Sequence, residues 1–99
     1  MAEKRIRLEV IMSAALEDDF LRSYEAACTG AKYTRISDAT GKGYSVPKLG
    51  DAVWPQVNTI IVIYCGESDE EAIRGIIADL RQEYAGEGLA CFRSEAEEV

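Results

Sequence analysis

The sequence predicts an α+β fold in which two helices cover one face of a four-stranded antiparallel sheet. Three observations carry that prediction. Segments with period-2 or all-apolar β-branched character alternate with two amphipathic segments of helical period, in the order β, α, β, β, α, β. The whole pattern fits into 99 residues, enough for one core and too short for two. The apolar share of 47% and charged share of 29% match an ordinary globular chain.

The elements follow in order. From Arg5 to Met12 the residues Ile6, Leu8, Val10 and Met12 alternate with mostly charged neighbours, the mark of a half-buried strand. From Ala15 to Cys28, Leu16, Phe20, Leu21, Tyr24, Ala27 and Cys28 recur at helical spacing. Glu17, Asp18 and Asp19 in the first turn complement the helix dipole, and Gly30 marks the end. Lys32 to Ile36 reads as a short second strand. Ser37 to Val57 holds three glycines and both prolines without periodicity, a long loop for so small a domain, of the kind that carries function or stays mobile. Thr59 to Tyr64 is apolar on both faces and β-branched, a third strand. Ser68 and Glu71 have capping-box spacing, and Ala72, Ile73, Ile76, Ile77, Leu80 and Tyr84 form a stripe, so a second helix is expected over Asp69 to Tyr84. Leu89 to Arg93 makes a short fourth strand, and residues 95–99 an acidic tail. Residues 1–94 are expected to form one domain.

This order is the split βαβ arrangement of the ferredoxin-like fold, with strands one and three central. Its second sheet face would be bare, yet the third strand offers Ile60, Val62 and Tyr64 on one side and Ile61, Ile63 and Cys65 on the other. Leaving either set in water forfeits several kcal/mol at about 25 cal/mol per Å2, so the bare face is expected to be covered by another chain.

Composition narrows the function. A net charge of −7 disfavours nucleic acid. No segment has the length of a membrane span, and the start MAEKRIRLEV lacks the apolar run of a signal peptide, so a cytoplasmic location is expected. With no histidine, a His-bearing zinc site, a catalytic triad and a Cys/His dyad are excluded, and Cys28, Cys65 and Cys91 lie too far apart for a CxxC site. No nucleophile-base pair points to an enzyme.

The local chemistry points to an anion. Between Lys32 and Asp51 the chain carries a local +2 from Lys32, Arg35, Lys42 and Lys48 against Asp38 and Asp51. A Gly41-Lys42-Gly43 turn can bring backbone N–H groups and an ammonium to one phosphate or carboxylate, or be a plain exposed turn. Arg35 offers a planar fork for such an anion, or an edge-strand charge against aggregation. Trp54 can stack a ligand base or cover a sheet edge. Asn58 can bond a ligand or order the entry to the third strand. Tyr33, Tyr44 and Tyr64 are stacking or modification candidates with packing as the plain role.

The segment GDAVWPQVNTIIVIYCGESDEEAIRGIIADLRQEYAGEGLACF, the long loop after strand two and the VWP…N entry to the apolar strand at Val53 to Ile63 resemble the PII nitrogen-regulatory superfamily, over residues 4 to 93. The resemblance implies a PII-like signalling homotrimer whose sheets face inward. Small ligands, often the adenine nucleotides ADP, AMP or ATP, would bind between subunits. It makes the long loop a T-loop that regulates a target protein, a transporter or metabolic enzyme. Gly41, Lys42 and Gly43 resemble the start of that loop, and Ala85 to Gly88 the loop that holds phosphates. This chain departs from the pattern in having Glu87 and no lysine in AGEGLAC, and Glu95, Glu97 and Glu98 where the family has arginines. A shorter nucleotide, another small anion or a cation is therefore expected as readily as a triphosphate. The candidate ligand-binding set is Arg35, Ser37, Gly41, Lys42, Gly43, Asn58, Glu87, Gly88 and Arg93. A CutA-like metal-handling trimer and a small enzyme on the same fold are the alternatives.

Overall fold

The computed structural model describes residues 3–41 and 57–99. Strand β1 spans Glu3–Ser13, and a 3-10 turn over Ala14–Leu16 leads into helix α1, Glu17–Ala27. Strands β2 (Thr34–Ala39) and β3 (Asn58–Cys65), helix α2 (Glu67–Glu83) and strand β4 (Leu89–Glu98) follow. The sheet order is β2-β3-β1-β4, all neighbours antiparallel, so the two most apolar strands are central as expected.

The period-2 patterns sort the side chains. Ile6, Leu8, Val10 and Met12 of β1 and Thr59, Ile61, Ile63 and Cys65 of β3 are buried, and Leu16, Phe20, Tyr24 and Cys28 with Ile73, Ile77 and Leu80 close over them from the helices. The core lies entirely between the helix layer and this one sheet face.

On the outer face, cross-strand register sets Ile36, Ile60, Ile11 and Ala90 in one row. Thr34, Val62, Glu9 and Phe92 form the next, and Tyr64, Arg7 and Ser94 a third. Ile36, Tyr64 and Phe92 are 48%, 55% and 61% exposed. This is the bare apolar face that the third strand's two-sided pattern implies.

Several boundaries differ from the sequence expectation. The acidic segment is not a tail: β4 continues to Glu98, because Glu3, Lys4 and Arg5 at the start of β1 supply a partner strand. Lys4 stands opposite Glu97, and Arg5 pairs with Glu98 at 3.3 Å, so opposite charges across the ladder favour the extension. Helix α2 starts two residues early. Gly66, extended at φ −96° and ψ −179°, turns the chain directly out of β3, and Ser68 falls inside the first turn without capping it. Strand β2 is displaced to Thr34–Ala39 and carries a bulge between Ile36 and Ala39, where Asp38 adopts φ +58°.

Candidate functional site

One end of the sheet gathers much of the candidate set. The long loop leaves from β2 and returns into β3 there, and the turn after α2 reaches the same place. Ser13 is the hub: its N–H donates to the Gly88 carbonyl at 2.8 Å, and it stands opposite Asn58, which stands opposite Ala39. The next residue, Ala14, donates to the Val57 carbonyl at 3.0 Å. A Cβ added at Gly41 would lie 4.0 Å from Asn58 Nδ2, so the base of the loop packs against the start of β3.

Ser37, Gly41, Asn58, Glu87 and Gly88 are thus brought to one region, although they are up to 51 positions apart in sequence (37 to 88). Asn58, Gly88 and Ala39 form a row beside Ser13 on the outer-face side, at the margin of the apolar row that begins with Ile36. The turn that presents Gly88 is shaped by Gly86 at φ +95°, a region closed to most side chains, and by the Glu87 N–H donating to the Tyr84 carbonyl at 3.0 Å. Lys42 and Gly43, with Tyr44 and Trp54, lie outside the described residues.

The two candidate arginines have other partners. Arg35 stands opposite Ile61 on the helix-facing side of β2, where its Nη2 donates to Glu17 Oε2 at 3.0 Å and its Nε meets the second carboxylate oxygen. That pair ties an edge strand to the first turn of α1. Arg93 stands opposite Leu8, under α2, and its Nε donates to Glu70 Oε1 at 3.1 Å, while Arg74 Nε reaches Glu70 Oε2 at 2.6 Å. These two guanidinium groups, Arg74 first, hold the buried Glu70 carboxyl below its ordinary value near 4.5. Among the described residues, the loop end of the sheet therefore presents backbone groups, a serine, an asparagine amide and Glu87, with its basic candidates engaged elsewhere.

A cleft that sequence spacing did not reveal lies at the opposite end, lined by Lys32, Tyr33, Tyr64, Gly66 and Asp69 with Glu98. Only the exposed tyrosines hinted at it, and Lys32 and Tyr33 there precede β2 rather than lie within it. The Tyr24 hydroxyl donates to the Lys32 carbonyl at 2.8 Å, and burial pushes Tyr24 up to about 12. Burial, with Asp69 beside it, likewise raises Cys28 to about 11, so this thiol stays protonated near neutrality. Cys65 and Cys91 are raised by burial as well. Among the described residues no three Cys, Asp or Glu side chains converge as a metal site, and no helix there is long and apolar enough to cross a membrane.

Neither a protein-family model nor a curated protein matches the sequence. Solved structures do match. One is CPII, a nitrogen regulatory PII-like protein from Thiomonas intermedia K12 bound to ADP, AMP and bicarbonate, at 14% identity and TM-score 0.70, over 100% of this chain and 97% of that one. The apo form of CPII matches at 15% identity and TM-score 0.70, over 99% and 95%. A PII-like signaling protein from Thermus thermophilus matches at 19% identity and TM-score 0.65, over 99% and 92%. Element order, sheet order and near-complete coverage of both chains agree: this chain has the ferredoxin-like fold of the PII-like proteins.

Proposed function

We propose that the chain is a PII-like regulatory protein, not an enzyme, that senses a small anion. The ligand is an adenine nucleotide such as ADP or AMP, or a smaller anion such as bicarbonate. The observation that carries this reading is the convergence of Ser37, Gly41, Asn58, Glu87 and Gly88 at the end of the sheet where the long loop begins and ends. Its support from outside is the fold shared with CPII, whose structures hold ADP, AMP and bicarbonate.

The protein acts as a cytoplasmic homotrimer in this reading, with the outer sheet face as the contact between copies. Burying Ile36, Phe92 and their row-mates gains about 25 cal/mol per Å2. Because Asn58 and Gly88 border that face, the ligand sits in the cleft between copies. The segment from Ser37 to Val57 meets the regulated protein, and Lys42 supplies the positive charge, since Arg35 and Arg93 serve Glu17 and Glu70. Glu87 beside Gly88 repels a third phosphate, which favours the shorter nucleotides.

A thermal-shift series with ADP, AMP, ATP and bicarbonate tests the ligand, because a molecule that binds only the folded state raises the melting temperature. Calorimetry of the best binder against Lys42→Ala is expected to show a loss of about tenfold or more, the equivalent of a charge-assisted hydrogen bond of roughly 1.5–3 kcal/mol. The melting temperature of the unliganded variant should stay where it was. No shift with any of these anions would remove the sensor reading, and unchanged affinity in Lys42→Ala would remove Lys42 from the site.

A further inference from the structure

In the centre of the outer face stands a charged pair. Arg7 and Glu9 lie two residues apart on the central strand β1, so both point outward, and Arg7 Nη2 donates to Glu9 Oε2 at 2.9 Å. Tyr64 stands directly opposite Arg7 on β3. Each side chain of the ion pair is 31% exposed. Around them are Ile11, Ile60, Val62 and Phe92.

Charge says what kind of surface can lie on this face. The chain carries −7, so most of its surface repels a second copy of itself. The described side chains of the outer face include two ion pairs, Arg7–Glu9 and Arg5–Glu98. A second copy of this chain meets paired charges there and gains the apolar rows on both sides, so it is the occupant this face suits.

The apolar rows by themselves do not choose a register, because hydrophobic contact is non-directional. A half-buried guanidinium does. Once water is removed, an arginine has five N–H donors to satisfy, and Glu9 takes only part of them. Only arrangements in which the neighbouring copy brings acceptors to the rest avoid a buried, unsatisfied charge, whose cost exceeds what a shifted register gains in apolar area.

We propose that the Arg7–Glu9 pair, with Tyr64 beside it, selects a single arrangement of copies on the outer sheet face. This rests on the reading that the face is a contact between copies, and adds the residues that specify it.

The test is mass photometry and sedimentation velocity over a dilution series on the full chain. Wild type is compared with Glu9→Ala and with the double variant Arg7→Met/Glu9→Leu, and circular-dichroism melts report folding. The wild type is expected as one oligomeric mass. Glu9→Ala, which strands the arginine, is expected to dissociate at about tenfold or more higher concentration. If that variant does not fold, Glu9→Gln, which keeps one acceptor oxygen, is expected to weaken assembly in the same direction. The double variant is expected to assemble as a mixture of masses, since attraction remains while the selecting group is gone. A double variant that keeps the single wild-type mass, or that is monomeric, overturns the inference while leaving the contact itself standing. A monomeric wild type overturns the contact and the inference together.

Discussion

The two faces of the sheet are built from the same residue types and treated oppositely. On β3, Ile61 and Ile63 are fully buried under α1 and α2, while Ile60 and Val62, their immediate neighbours, are only partly covered and Tyr64 is open. A strand with one wet face should alternate apolar with polar, and β3 does not. The lesson is that burial within the chain explains half of this strand's composition. The other half is what the proposed contact between copies would explain.

That difference can be broken most forcefully from the covered side. Phe20→Ala empties a fully buried position and is expected to cost about 3–5 kcal/mol, read as a lower urea midpoint with an unchanged slope. A loss below about 1 kcal/mol would mean that the helix layer is not packed as described.

A second effect on the covered side depends on pH. The folded value of Glu70 lies below its ordinary one, so the unfolded chain takes up this proton first as the solution is acidified. Its contribution is full above about pH 4.5 and fades as the pH falls through the lowered folded value. Wild type should melt above Glu70→Gln at neutral pH, and the gap should close in acid. A gap that widened in acid would contradict the two guanidinium partners.

The uncovered side should respond differently. Phe92→Ser is expected to leave the stability of the isolated chain within about 0.5 kcal/mol, because Phe92 is exposed in the single chain. In a concentrated sample the same change should loosen the proposed oligomer, so melting becomes less dependent on protein concentration. Equal, concentration-independent losses from Phe92→Ser and Phe20→Ala would erase the distinction between the faces. The smallest change is Ser68→Ala. Ser68 does not cap α2, so this substitution should stay within about 0.5 kcal/mol in thermal melts, where loss of a true N-cap costs about 1 kcal/mol.

Where the sequence was legible, one physical rule acted alone. Alternation in β1, the stripe of Ile73, Ile77 and Leu80 in α2 and the inner side of β3, Ile61 and Ile63, all follow from burial, and the structure has each of them. Where two effects competed, it was harder to read. Glu95, Glu97 and Glu98 look like a solvated tail by composition, yet pairing with Lys4 and Arg5 makes them strand. Ser68 has capping chemistry, but Gly66 already turns the chain. Arg35 and Arg93 have the chemistry of anion ligands, and spacing cannot show that Glu17 and Glu70 reach them first. Asn58 and Gly88 were legible as turn and entry residues, while their meeting through Ser13 is a property of the sheet register.

The ties of Ser13 to Gly88 and of Ala14 to Val57 have a consequence for how this protein can change over time. Val57 is held by the hydrogen bond from Ala14, and Gly41 lies close to Asn58 at the start of β3. For a chain segment closed by such fixed ends, doubling its length costs only about 0.6 kcal/mol of closure entropy. A change in the length of the segment 42–56 is therefore expected to cost folding little. The fold behaves as a socket that can hold segments of different length without its core being rebuilt.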